Sequence, residues 1–169
     1  MSKLILACDP GITGAFALLD NAGALIHVAD LPIIRDRSLA WIHGGELQSA
    51  LLGILNGQPT TAVVERVSAM PKQGVSSTFN FGVSFGSILS VLQTMQMRIE
   101  LVTPATWKRD LGLIFPKEVK ITERKRASLD RCRLLYPTAP LERQKDNGRA
   151  EAILLGYWYL RHSGAANVA

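Results

Sequence analysis

The stretch from Leu4 to Asp20, LILACDPGITGAFALLD, constrains this chain more than any other. It opens as a short unbroken apolar run, the pattern of a strand buried on both faces. A single acid, Asp9, closes the run. An ionised carboxylate is costly to bury unless it is paired or meets a cation. Pro10-Gly11 then interrupts the strand, Gly14 permits a tight reversal, and Ala15 to Leu19 forms a second apolar run. The stretch reads as a β-hairpin at the centre of a sheet with one carboxylate at its tip. Asp before Pro-Gly is also ordinary turn chemistry, so the weight given to Asp9 depends on the other acids.

A second strand has the same design. Thr60 to Glu65 is short, β-branched and again ends in a carboxylate. If the two strands are parallel neighbours, their acids meet at one sheet edge, where open α/β sheets bind ligands. The third acidic element lies at the start of an Ala/Leu-rich helix, where Asp146-Asn147-Gly148-Arg149-Ala150-Glu151 precedes Ala152 to Trp158. On one continuous helix Asp146 and Glu151 would stand about 140° apart. With Asp146 in the turn before the helix, both reach one point.

The segments between supply the rest of an α/β domain. Asn21-Ala22-Gly23 is a turn before a strand over Ala24–Asp30, in which His27 is a packing residue. Residues 31–43 read as irregular. A helix follows over Gly45–Leu55. After a polar loop, Arg66 to Gly74, a long helix runs from about Ser76 to Met97, with Ser76 or Ser77 as its N-cap. Gly82 and Gly86 share one face of it, and each is unfavourable by about 1 kcal/mol relative to Ala. Close packing against a sheet or a partner helix explains them, and a homodimer is expected. Arg98–Val102 is a fifth strand. Thr103-Pro104 starts a short helix carrying Trp107 and Lys108, and Lys117–Leu135 is a basic helix. Thr138 to Arg143 is a linker.

Length fits one domain over residues 1–162, with 163–169 as a frayed tail. No apolar run reaches the roughly 18 residues of a membrane span, and no membrane partner is expected. Met1-Ser2-Lys3 leads straight into a strand rather than a signal peptide. Cys8 and Cys132 are isolated, which fits a reducing, cytoplasmic setting. The formal net charge is +5, and 12 of the 19 Lys and Arg fall between Lys108 and Arg149, against six acids. Such a face suits a polyanion, although charge runs are also common as plain solvated surface.

Asp9, Glu65, Asp146 and Glu151 together would repel one another unless neutralised. Ligands that are all oxygen favour a hard cation, Mg²⁺ or Mn²⁺. Two such ions about 4 Å apart are one known arrangement for in-line phosphodiester hydrolysis, and the basic segment would hold neighbouring phosphates.

With these residues in view, the chain resembles the RuvC-type Holliday junction resolvases of the RNase H-like (retroviral integrase) superfamily, nearest the phage and chloroplast-like branch. The resemblance rests on Cys8-Asp9-Pro10-Gly11 with Thr13-Gly14, Val64-Glu65, the segment Gln73 to Gly82, Thr103 to Lys108, and Asp146 to Ala152. It implies an RNase H-like mixed five-stranded sheet flanked by helices. It further implies a Mg²⁺-dependent homodimer that nicks four-way DNA junctions symmetrically. Asp9 and Glu65 match the first two acids, Glu151 the last, where many members have Asp. Three residues before Glu151, where bacterial members place another acid, stands Gly148. Asp146 is assigned to the fourth position, with Asn147 as a neutral alternative. Lys108 and Lys125 match basic residues near the scissile phosphate, with Lys125 counted in the catalytic set. Lys72, Gln73, Ser76, Ser77 and Arg149 join these two lysines as the expected DNA-binding set. The loop from Met70 to Ser77, followed by Phe79, matches the segment that meets the junction centre, while core packing is expected for at least one of Phe79 and Phe81.

Three other readings compete. An actin-like sugar kinase also places Gly and Thr after a strand Asp, but needs two domains. A branched-DNA binding module without cleavage and a nuclease for flaps or forks both share the same residues.

Overall fold

The structure, a computed structural model, describes residues 3–37, 39–66, 68 and 74–163. Expectations for Met70, Lys72, Gln73 and the tail beyond Ser163 lie outside the described residues. The hairpin is present: β1 (Leu4–Asp9) pairs antiparallel with β2 (Ala15–Leu19), which pairs antiparallel with β3 (Leu25–Asp30). On its other side β1 pairs in parallel with a strand at Thr60–Glu65, and that strand pairs in parallel with one at Arg98–Val102. The result is a mixed five-stranded sheet, 3-2-1-6-7 in the numbering below, with β1 in the middle.

Residues 31–43 are not irregular. They form a separate two-stranded hairpin, β4 (Ile33–Asp36) and β5 (Leu39–Ile42), with Ile33 opposite Ile42 and Ile34 opposite Trp41. Pro32 and the charges at Arg35, Asp36 and Arg37 conceal that pairing in the sequence, and Arg37 turns the chain with φ of 50°. The remaining elements are α1 (Gly44–Leu55), β6 (Thr60–Glu65), α2 (Val75–Thr94), β7 (Arg98–Val102), α3 (Pro104–Asp110), α4 (Ile121–Leu135) and α5 (Asn147–His162).

Alternation along the strands separates two cores. Leu4, Leu6, Cys8, Phe16, Leu18, Ala62 and Val64 meet α1 and α2 on one face, through Leu47, Leu51, Ile88 and Leu92. Ile5, Ala7, Ala17, Leu19 and Val63 meet α3, α4 and α5 on the other, through Trp107, Leu129, Ile153 and Leu154. Because β1 is covered on both faces it reads as a continuous apolar run. Burial pushes the Cys8 thiol up to about 12, as it does the Cys132 thiol, so both are inert core residues. His27 stacks on Phe16 with ring centroids 5.8 Å apart.

Two helices differ from expectation at their starts. Helix α2 is capped by Gly74 rather than Ser76 or Ser77, and α4 begins at Ile121 behind Lys120. Residues ahead of α4 are held as a loop instead, because Arg124 donates to the carbonyls of Val119, Pro116 and Lys117 at 2.8–2.9 Å. Helix α2 carries no charged side chain, and by length and composition it is long and apolar enough to cross a membrane, with a mean hydropathy of 1.3. Only one edge of it, Ser84, Ile88 and Leu92, is buried.

Candidate active site

The parallel pairing of β1 with β6 sets Cys8 beside Val64, so Asp9 and Glu65 emerge side by side at the carboxyl ends of the two central strands. Helix α5 crosses the same face of the sheet and presents Glu151 from its second turn. One carboxylate oxygen from each of Asp9, Glu65 and Glu151 lies within 4.8 Å of the others. Two glycines make this approach possible. A Cβ on Gly14 would stand 2.0 Å from the Asp9 carbonyl oxygen, and one on Gly148 would stand 2.3 Å from that of Thr13. The hairpin turn is thereby seated backbone to backbone on the first turn of α5.

A set of donors surrounds the acids. Trp107 Nε1 donates to Glu65 Oε1 at 3.0 Å. Lys108 Nζ donates to Glu151 Oε2 at 2.8 Å, lies 4.0 Å from Glu65 Oε1, and stands 4.9 Å from the centre of the Trp107 ring. Ser128 Oγ donates to the other Glu151 oxygen at 3.1 Å. Burial, then the charges of Glu151 and Glu65, raise the Asp9 carboxyl well above the ordinary carboxylate range. Burial likewise raises Glu65, against the opposing pull of Lys108. For Lys108 burial disfavours the charge, but Glu151 and Glu65 outweigh it and hold the ammonium above its ordinary value.

Asp146, the fourth expected acid, is not part of this group. It is 1 % exposed, and its carboxylate accepts from the Arg143 backbone N–H and from Arg143 Nε, both at 2.8 Å. Burial pushes its carboxyl up, yet these bonds and the Arg143 charge bring it below the ordinary value. The pairing sits in a short 3₁₀ turn at Gln144–Asp146, just before α5, which turns the carboxylate towards Arg143. Asn147 lines the same cleft as Asp9 and Glu151.

That cleft has a volume of about 580 Å³, with Asp9 and Glu151 among its lining residues and Phe81, Ile114, Ile121 and Lys125 on its walls. Lys125 is exposed there. Arg149 is instead tied down, its Nε 2.6 Å from Asp30 Oδ1 and its Nη2 2.9 Å from Asp30 Oδ2. Ser76 and Ser77 are exposed in the first turn of α2, with Ser77 lining a neighbouring groove beside Ile12, Arg35, Asn80 and Phe81. Core packing is expected for at least one of Phe79 and Phe81, but neither is fully buried: Phe79 is 66 % exposed and Phe81 faces the cleft. Ser128 was invisible in the sequence, being one more small residue in a basic helix. The apolar spacing of the basic helix places Ile121 on the inward face with Leu129, Cys132 and Leu135, but Ile121 is 70 % exposed and lines the cleft together with Ile114.

No family model matches the sequence, and no curated protein matches it either. The fold does match solved structures. One is Thermus thermophilus RuvC in complex with Holliday junction substrate, at a TM-score of 0.59 and 15% identity, covering 94% of this chain and 95% of that one. Another is a Thermus thermophilus RuvC structure, at a TM-score of 0.53 and 14% identity, covering 95% of this chain and 96% of that one. The chain thus has the RNase H-like fold of the RuvC proteins over nearly its whole length.

Proposed function

We propose that the protein is a metal-dependent, structure-selective endonuclease that resolves four-way DNA junctions by paired symmetric nicks, acting as a homodimer in a reducing cytoplasm. The observation that carries this reading is the trio Asp9, Glu65 and Glu151, two of which, Asp9 and Glu151, line a cleft walled by apolar and basic side chains while Glu65 is buried beside them. Its donors are all oxygen and lie within 4.8 Å of one another, which fits a hard cation such as Mg²⁺ or Mn²⁺. Such an ion supplies Lewis-acid activation of water and of the scissile phosphate. The protein's own residues do the remaining work. Trp107 and Ser128 fix the rotamers of Glu65 and Glu151, Lys108 balances the carboxylates, and Lys125 presents a positive charge to a backbone phosphate.

The similarity to a RuvC seen with a Holliday junction supports branched DNA as the substrate. The dimer is supported by α2. Val75 and Phe79 are 87 % and 66 % exposed, Val83 is also exposed, and side chains added at Gly82 or Gly86 would meet open space. Close packing within the chain therefore does not explain these glycines, whereas a second α2 laid against them does. A binding module without cleavage is the second reading, favoured by Lys108 and Ser128 holding both oxygens of Glu151.

The test is incubation of a synthetic four-way junction, a flap and a linear duplex with Mg²⁺, Mn²⁺ or EDTA, beside Asp9→Asn. Paired nicks on the junction that need metal and Asp9 are the expected result. Tight junction binding without nicks in either metal establishes the binding module, and cutting confined to flaps redirects the substrate.

A further inference from the structure

Resting on the branched-DNA reading above, we infer that the groove between α2 and the β4–β5 hairpin takes one unstacked base of the bound DNA and prefers adenine. The groove has a volume of about 400 Å³, within the range of sites that enclose small ligands. Arg35 and Ala40 line it from the hairpin, and Asn80, Phe81 and Ser84 from α2. Ile12 and Phe81 also line the cleft that holds Asp9 and Glu151, so the two hollows share a wall. A strand whose backbone lies in the cleft can turn a neighbouring base into the groove.

The first ground is Ser84. It is 0 % exposed, and its Oγ has no hydrogen-bond partner among the described residues. Thr78, Ser87 and Thr94 on the same helix each donate to the carbonyl four residues back, a common use of a helical hydroxyl. Ser84 forgoes that bond. A buried hydroxyl without a partner is rare and destabilising, and a ligand that brings its own donor or acceptor into the groove would satisfy it. Asn80 and Phe81, both half-buried, stand one helical turn before Ser84 on the same face. A change of rotamer at either, common on binding, opens the way to the hydroxyl.

The chemistry of the remaining walls is the second ground. Ile12, Ala40 and the Phe81 ring offer apolar surface to a planar ring, and bases stack on aromatic side chains. The Asn80 amide carries a donor and an acceptor side by side, the pairing that matches N6 and N7 of adenine. Arg35 is exposed on the hairpin and places a positive charge where the phosphate of the same nucleotide would lie. A phosphate alone would use the guanidinium and leave the amide, the ring and the buried hydroxyl without a role. Drawing a base out of the stack costs least where pairing is already broken, as beside a junction crossover.

The test is a set of synthetic four-way junctions that differ at one base pair, moved in turn through the positions flanking the crossover. Affinity is read by fluorescence anisotropy in EDTA, and nick positions are mapped in Mg²⁺. One position is expected at which adenine binds about tenfold more tightly than the other bases, with nicks at a fixed distance from it. Asn80→Ala should abolish that difference, and Asn80→Asp should move the preference to cytosine. Ser84→Ala should melt no lower than the parent, because it removes an unpaired hydroxyl, yet should lose several-fold of the advantage of adenine. Arg35→Gln should weaken all the junctions alike. Equal affinity for the four bases at every position, or a preference that Asn80→Asp leaves unchanged, would overturn the inference, and paired nicks in the same experiment would leave the nuclease reading standing. A preference for adenine in EDTA without nicks in Mg²⁺ would do the reverse.

Discussion

At the scale of single residues the acids divide into two kinds with opposite effects on stability. Asp9 is held above its ordinary value, so the folded chain binds that proton more tightly than the unfolded chain. For such a group stability falls as pH rises from about 4 through the raised folded value. Metal-free Asp9→Asn should therefore melt at a higher temperature than the parent at pH 7, with the difference closing towards pH 4. Asp146 is the reverse. Its lowered carboxyl contributes stability above the ordinary carboxylate value, and that contribution is lost as pH falls through the lowered one. Asp146→Asn weakens bonds to a charged partner and should cost about 2 kcal/mol at pH 7, read by denaturant titration, while junction nicking stays within about tenfold of the parent. Loss of nicking in a stably folded Asp146→Asn would return Asp146 to the site.

At the scale of elements, α2 leaves an apolar edge exposed. Its exposed line of Val75, Phe79 and Val83 beside two open glycines is tested by Val83→Glu. That variant should keep the circular dichroism of the parent, sediment as a monomer, and give unpaired nicks at a rate reduced about tenfold or more. The elements also show what the sequence could convey. Strands β1 and β6 were legible because burial on both faces leaves an unbroken apolar run, so an acid at the end stands out at once. Glu151 was legible for the same reason in an Ala/Leu-rich helix. The Asp146–Arg143 pairing was not, because it depends on a single 3₁₀ turn that rotates the carboxylate away from the acids. Hairpin β4–β5 was hidden by charges on strands too short to show alternation. Core packing for at least one of Phe79 and Phe81 was the natural expectation because composition does not report which side of a helix lacks a neighbour.

At the scale of the molecule, the sequence concentrates basic residues between Lys108 and Arg149, and three of them, Lys108, Arg124 and Lys125, line the cleft that holds Asp9 and Glu151. Some of the basic residues are already committed, Arg124 to its loop, Arg143 to Asp146 and Arg149 to Asp30. On the proposed reading, the electrostatic grip on DNA would accordingly come from fewer cations than the composition suggests. Junction affinity should fall steeply with salt, by about a hundredfold or more from 50 to 200 mM, and Lys125→Ala should reduce the slope by about one. A salt-independent affinity would remove phosphate contacts from the account.

The seating of β1 in the middle of the sheet also bears on when the acidic trio is first assembled. Asp9 is among the earliest residues to be synthesised, Glu65 follows on a partner strand, and Glu151 comes only with the last described helix. Contacts this distant along the chain form late, after the loops between them have closed. A nascent or half-folded chain holds isolated carboxylates and no assembled trio. On the proposed nuclease reading, cutting ability would arrive only with complete folding, the order of synthesis acting as a safety interlock.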